Sequence, residues 1–413
     1  MRTTFTIYPL ALFLAFLNID MGVRGKTFGQ VQESWSIATD AYSTNVFNLL
    51  GNNVVISGVF NFSPTILKSS AEGQEKWSAS SNFPSIYLPP PSGLALDSAG
   101  NVFFSGRQVI LPFWPSGFGF FIESRTTKLD ARDGNQLWSS PYAGTSAVDS
   151  AGNVFVSGSS MTLKLAAKDG QLVWSAQLDG RLSRVDHKGD IIVGGNEGIT
   201  KLAGRDGRQV WSVPINTHSL GLDALGDVYT HRGGFLGGSE IVKLASADGS
   251  ELWSVPVPSF GQIAVDQMGF VCISSSGLPN GFTTKLAAKD GAQIWSSAIA
   301  GNSVAVDGAG NVYVSGVTTL EGSVITVKRA GKDGSEVWSV PFSAIPWSFS
   351  MSALKVDSAG DVYVLGWDYP ANTFYGLKKY VQRGLEARIV RQVQNSEQQA
   401  GVVADWQADS TLT

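Results

Sequence analysis

Tryptophan followed by serine ends an equivalent stretch eight times along this chain, at Trp35, Trp77, Trp138, Trp174, Trp211, Trp253, Trp295 and Trp338. The spacings are 42, 61, 36, 37, 42, 42 and 43 residues. Self-similarity at such a period restricts a chain to folds in which one supersecondary unit packs on copies of itself. The clearest unit reads Thr283-Thr-Lys-Leu-Ala-Ala-Lys-Asp-Gly-Ala-Gln-Ile-Trp295-Ser, then Ser303-Val-Ala-Val-Asp307-Gly-Ala-Gly-Asn311-Val-Tyr-Val-Ser-Gly316. Apolar residues alternate with period two, as at Val304, Val306, Val312 and Val314, which marks pleated strands with one face toward a core. Asp307 to Asn311 suits a type I turn closed by a left-handed Gly, and Asp290-Gly291 suits a two-residue hairpin turn.

Four short strands per unit, repeated at this period, are the sequence form of a propeller blade. Composition agrees, because 47 Gly and 12 Trp with only 15% charged residues favour short strands and tight turns over helices. The predicted fold is all-β: a single eight-bladed β-propeller of four-stranded antiparallel blades over 31–380. Innermost and second strands occur eight times, from Asn45–Ser57 to Ser352–Gly366. The third, Lys-bearing strand runs from Ile66-Leu67-Lys68 to Leu377-Lys378. The Trp strand reaches eight copies only if Val31 to Ser36 completes the last blade, so the ring is expected to close through its N-terminal strand. The alternatives are seven blades plus an extra partial sheet, or a last strand supplied by Leu385 to Gln394. The tail, 381–413, also reads as a short amphipathic helix with Leu385, Ile389 and Val393 on one side.

At the N-terminus, Arg2 precedes an apolar run from about Ile7 to Leu17, so 1–25 is expected to be a signal peptide or an uncleaved anchor. No second apolar stretch of spanning length follows. The expected location is extracytoplasmic, secreted or at the cell surface. A single cysteine, Cys272, excludes an intramolecular disulfide and cysteine-based zinc sites; within Phe270-Val271-Cys272-Ile273 it reads as a small buried hydrophobe. A net charge of -4 without Lys or Arg clusters argues against nucleic-acid binding.

Ala147-Val-Asp-Ser-Ala-Gly-Asn-Val-Phe-Val-Ser-Gly158, with relatives at Ala95, Ala305 and Lys355, resembles the bacterial-type β-propeller repeat family. The Ala-x-Asp-Gly-x-x-x-Trp phrase, as in Ala167 to Trp174, is similar to the tryptophan-docking motif of pyrroloquinoline-quinone-like propellers, though shortened before its Gly. The resemblance covers most of the chain from Val31 to Lys379 and implies the fold, while propellers of this type host binding, scaffolding and catalysis alike. It also implies a test for a quinone dehydrogenase, in which the cofactor stacks in the channel against a vicinal disulfide and calcium is held by carboxylates and amides. Cys272 stands alone, and no extended Ala-x-Asp-x-x-Thr-Gly phrase accompanies it, so no cofactor is expected.

Loops in such a blade divide between two faces. One carries uniform short turns. The other carries most of the length variation: Ser81–Ser92, Arg107–Ser124, Arg232–Ser239, Ser275–Phe282, Pro341–Met351 and Trp367–Thr373. Irregular loops on a rigid scaffold are where binding residues belong. Their aromatics concentrate on blades that become neighbours on ring closure, and Tyr87, Phe113, Trp114, Trp347, Trp367 and Tyr369 are the candidate ligand-binding residues. Such an arc suits a sugar face or a protein anchor. Arg107–Ser124 either joins it or folds down as a hydrophobic plug.

The repeated Trp reads as packing between blades. Asp97, Asp149, Asp307 and Asp357 read as turn-capping residues, not calcium ligands, because each turn offers too few oxygens. His218 and His231 fall nearly opposite on adjacent strands, either sharing a metal with Glu240 or Asp223 nearby, or as ordinary polar residues at a strand end. No third ligand has a definite place, and no metal is expected. The expected function is a monomeric, non-catalytic interaction module for a protein or glycan. The alternatives are a polysaccharide hydrolase or lyase using acids such as Glu123, Glu240 and Asp368, and a quinoprotein dehydrogenase.

Overall fold

The computed structural model describes residues 31–39, 46–50, 53–60, 63–70, 72–80, 93–110, 121–234, 237–276, 281–318, 324–343, 353–368 and 373–382. These form eight four-stranded sheets, each antiparallel throughout. Seven are built from consecutive strands, as in blade three, Thr145–Val148, Val154–Ser157, Thr162–Leu165 and Leu172–Ala176. Blade eight takes Ala353–Val356, Val362–Asp368 and Thr373–Gln382 from the end of the propeller and its outer strand, Val31–Thr39, from the start. Trp35 lies opposite Lys379 in that pairing. The ring is thus eight-bladed and fastened by the N-terminal strand, which removes the seven-blade alternative and a closing strand from Leu385–Gln394.

The core lies between blades. Eight buried clusters each draw on two adjacent blades; one joins Cys272 and Trp295 of blade six to Val304, Val312, Val314 and Val327 of blade seven. Another joins Phe47, Val54 and Ile56 of blade one to Tyr363, Leu365 and Leu377 of blade eight, so the seam is packed like the other interfaces. A blade cannot bury both faces alone, and stacking around a ring lets every blade do so.

Two turns repeat. In the first, Asp307 N–H donates to Asn311 O, Gly310 N–H donates to Asp307 O, and Gly310 takes φ +77°, as its sequence required. Asp307 Oδ1 also accepts from the amides of Ala309 and Asn311. The second differs from the expected two-residue hairpin at Asp290-Gly291: Gly291 N–H donates to Ala287 O and Ala287 N–H donates to Ala292 O. The turn is longer because a bulge at Lys285/Leu286 displaces the strand end, which turns the Ala288 carbonyl toward the preceding blade.

That carbonyl is a docking point. Trp253 of blade five donates its indole N–H to Ala288 O of blade six at 3.1 Å. Trp77, Trp138, Trp174, Trp211 and Trp295 do the same to Ala131, Ala167, Gly204, Ser246 and Gly331. Each of these rings lies under a Gly of the next blade; a Cβ on Gly170, at φ +69°, would stand 2.5 Å from Trp138. The repeated Trp is therefore packing between blades.

Each third strand adds a lysine. Lys128 sits 3.3 Å from Asp97 of its own blade and donates to Ala167 O of the next, the carbonyl that also accepts from Trp138. Lys164, Lys201 and Lys243 repeat this with Asp149, Asp186 and Asp223 and the docking carbonyls of Gly204, Ser246 and Ala288. In blade eight the interior lysine is Lys379, paired with Asp361 at 2.8 Å, and not the expected Lys378. Lys379 pairs with Tyr363 and Tyr380 with Val362, so Tyr380 occupies the place that Leu takes after Lys in blades two to six.

Trp338 is the exception. Its indole is 8% exposed and its N–H has no acceptor among the described residues. The next blade is blade eight, whose third and outer strands are not joined by a turn, because the outer one comes from the N-terminus. Trp295→Phe is accordingly expected to lower stability about 1 kcal/mol more than Trp338→Phe, since only the former breaks a hydrogen bond and orphans an acceptor. Urea midpoints of the two variants compare them directly, and equal losses would show that the docking bond contributes nothing.

Candidate functional site

Second-to-third and inter-blade loops meet on one face, and small hydroxyl residues fix their bases. Thr126 Oγ1 donates to Tyr142 O at 2.8 Å and lies at hydrogen-bond distance, 3.0 Å, from Ser105 Oγ, which accepts from Gly144 N–H at 2.9 Å. Ser274 and Thr283 hold Gly301 and Ile299 of the following loop in the same way. The backbone comes so close at Gly144 that a Cβ would overlap Ser157 O. The loops therefore stand on a rigid base.

Between blades two, three and four these loops leave an open cleft of about 590 Å³. Pro141–Thr145, Gly158–Met161 and Gly180–Arg181 line it, with Ser124 at its edge. Its lining residues include Tyr142 and Met161, which pack against the core between blades two and three, several serines and Thr145, and the exposed Arg181. Ser124 and Pro141 also border a second hollow of about 340 Å³ with Arg125, Ser139 and Ser140. Such a surface offers hydrogen bonds and modest apolar area, the composition of a recognition site on a loop face. The sequence reading passed over this cleft because its loops are short and poor in aromatics. The signal available was the Gly158-Ser-Ser-Met161 break in alternation.

Of the predicted ligand-binding residues, Tyr87, Phe113, Trp114, Trp347 and Tyr369 lie outside the described residues. The backbone of Trp367 is in the second strand of blade eight. The predicted Arg107–Ser124 loop is shorter than expected, because residues 107–110 and 121–124 extend the second and third strands of blade two and pair with each other; Ser124 also lines the cleft. The segment 1–25 and the tail beyond 382 fall outside the described residues too.

The acids considered for catalysis are spread around the ring, with Glu123 in blade two, Glu240 in blade five and Asp368 in blade eight. Glu240 Oε2 accepts from Arg232 at 2.9 Å, and Arg232 also binds Glu251. The turn aspartates are occupied by backbone amides and lysines. His231 and His218 flank Phe260, with ring centroids 5.5 and 5.6 Å from it. Among the described residues no three His, Cys, Asp or Glu side chains group to hold a metal. Cys272 is fully buried in the core between blades six and seven, and burial pushes its thiol up to about 12. The residues present do not fit the stacking disulfide of a quinone cofactor.

A family model described as outer membrane protein assembly factor BamB matches residues 123–277, and the resemblance to pyrroloquinoline-quinone-like propeller repeats holds. Among solved structures, BamB from Moraxella catarrhalis is similar at 15% identity and TM-score 0.58, covering 85% of this chain and 97% of that one. The C-terminal WD40 domain of Sif2 is similar at 10% identity and TM-score 0.62, covering 86% and 99%. Quinohemoprotein alcohol dehydrogenase from Comamonas testosteroni is similar at 12% identity and TM-score 0.59, covering 91% and 79%. At these identities the likeness shows the fold alone. No curated protein matches by sequence.

Proposed function

We propose that this chain is a non-catalytic interaction module acting outside the cytoplasm, which binds a protein partner through its variable-loop face. The observation that carries this reading is the cleft of about 590 Å³ on rigidly based loops of blades two to four, with Ser124, the last residue of the predicted Arg107–Ser124 segment, among its lining residues. The binding surface in this proposal joins that cleft to the aromatic arc of Tyr87, Phe113, Trp114, Trp347, Trp367 and Tyr369. Aromatic anchors beside a polar, hydroxyl-lined hollow suit a protein interface, with anchors at its centre and Arg at its rim. The BamB match, whose description names an assembly factor, supports a protein over a glycan, and the apolar run at the N-terminus supports export.

The test immobilises the chain from Lys26, identifies retained proteins and glycans from an extracytoplasmic extract, and repeats the binding with the purified ligand. A Trp114, Trp347 and Trp367 to Ala variant and an Arg181→Glu variant, each checked for folding, are expected to lose a protein ligand at least about tenfold. Retention of a glycan instead would replace the partner class. Equal binding by the parent and both variants would move the site off this face.

A further inference from the structure

The innermost strands hold equivalent positions opposite matching second-strand residues, and in five blades these are small: Ala95, Ala147, Gly221, Ala264 and Ala305. Blade four has Arg184 there, blade eight Lys355 and blade one Asn48. Blades four and eight stand opposite each other in an eight-bladed ring, so the space their side chains share is the central channel. Arg184 remains open to solvent although protein surrounds it, and its Nη1 donates to Ser183 O at 3.0 Å. Lys355 Nζ donates to Asn48 Oδ1 at 3.0 Å and lies 5.9 Å from the centroid of Phe47. Burial first, and then the charge of Arg184, push Lys355 down to about 8.

These two cations break the rule that the rest of the molecule keeps. The third-strand lysines of blades two to eight each have an aspartate at ion-pair distance. Among the described residues neither Arg184 nor Lys355 makes an ion pair. Two enclosed like charges repel, and low-dielectric walls lined by one sign of charge concentrate the field on whatever enters. An anion between them would relieve that repulsion and take charge-assisted hydrogen bonds from both.

We propose that the central channel is an anion site, in which Arg184 and Lys355 bind a small phosphate or carboxylate ligand from opposite walls and Asn48 orients the lysine. The site is separate from the variable-loop face, so it stands or falls independently of the function proposed above.

Inorganic phosphate and citrate are the probes, titrated into the full chain while thermal midpoint and heat of binding are followed. A saturable rise in midpoint is expected with at least one. Arg184→Gln and Lys355→Gln should each weaken that binding by about tenfold or more, as loss of a charged hydrogen bond does. Without anion both variants should melt no lower than the parent, since each removes an uncompensated charge; this separates lost binding from lost folding. A second readout is acetylation of Lys355, followed by mass spectrometry, which the bound anion should slow. No saturable binding by the parent, or equal binding by the double variant, would overturn the proposal.

Discussion

Replacement of Lys164 by methionine is expected to lower unfolding stability by about 3–5 kcal/mol, the range for removing one partner of a buried ion pair. Lys164 Nζ lies 2.9 Å from Asp149, donates to Gly204 O at 2.8 Å and sits 4.8 Å from the centroid of Phe155. Methionine keeps most of the stem's packing, so the loss isolates the charge. Burial works to raise the Asp149 carboxyl, but the bonds from Asn153 and Lys164 overcome it and hold the group below the usual carboxylate range. Without the ammonium, that carboxylate is left in the blade interior. The double change Lys164→Met with Asp149→Asn should recover much of the loss, because the orphaned charge goes with its partner. Arg132→Met is the control: Arg132 pairs with Asp130 at the surface with its side chain 86% exposed, and should change stability by no more than about 0.5 kcal/mol. Urea unfolding of the four proteins decides it. A loss in Lys164→Met no larger than in the control would mean that the lysines decorate the blades and do not join them.

The fold was legible because its signals are periodic and chemically distinct. Trp marks the outer strand, Gly marks the turn that lies on the preceding Trp, and Asp marks the inner turn, so blades two to seven announce themselves in three places. Even closure could be reasoned out, since one Trp strand had to come from Val31–Ser36. What did not show was the use of polar groups across blades. Lysine in a strand reads as an outward residue, and only the ring brings Lys164 of blade three under Gly204 of blade four. The displaced turn at Ala287–Ala292 escaped for the same reason, because it exists to aim a carbonyl at a neighbouring blade. Sites are harder still. The cleft is made where three loops of ordinary composition meet. Arg184 and Lys355 look unremarkable until eight equivalent positions are laid side by side around one axis.

Acidification below about pH 6.5 is expected to destabilise the propeller through His231 well before its carboxylates titrate. The residue is fully buried, with Nε2 2.9 Å from Gly261 O on the loop into blade six and Nδ1 3.4 Å from Ser239 Oγ. Nε2 lies within hydrogen-bond reach of both the carbonyl and the N–H of Gly261, so the imidazole is tied to that loop residue from inside the fold. Burial pushes its pKa down to about 4, against the opposing pull of the Gly261 carbonyl and helped by the charge of His218 beyond Phe260. The unfolded chain takes up this proton near the ordinary histidine value and the folded one does not until about pH 4. The contribution is therefore whole above the unfolded value and is lost as pH falls toward the folded one. Between about pH 7.5 and 4.5 this amounts to about 2–3 kcal/mol. His231→Gln, which keeps a donor for Gly261 O, removes the titrating group, so its stability should change much less over that interval even if it starts lower. Urea midpoints of parent and variant at the two ends of the interval make the comparison. Parallel declines would assign the acid sensitivity to other groups and imply that His231 accepts its proton inside the fold at little cost.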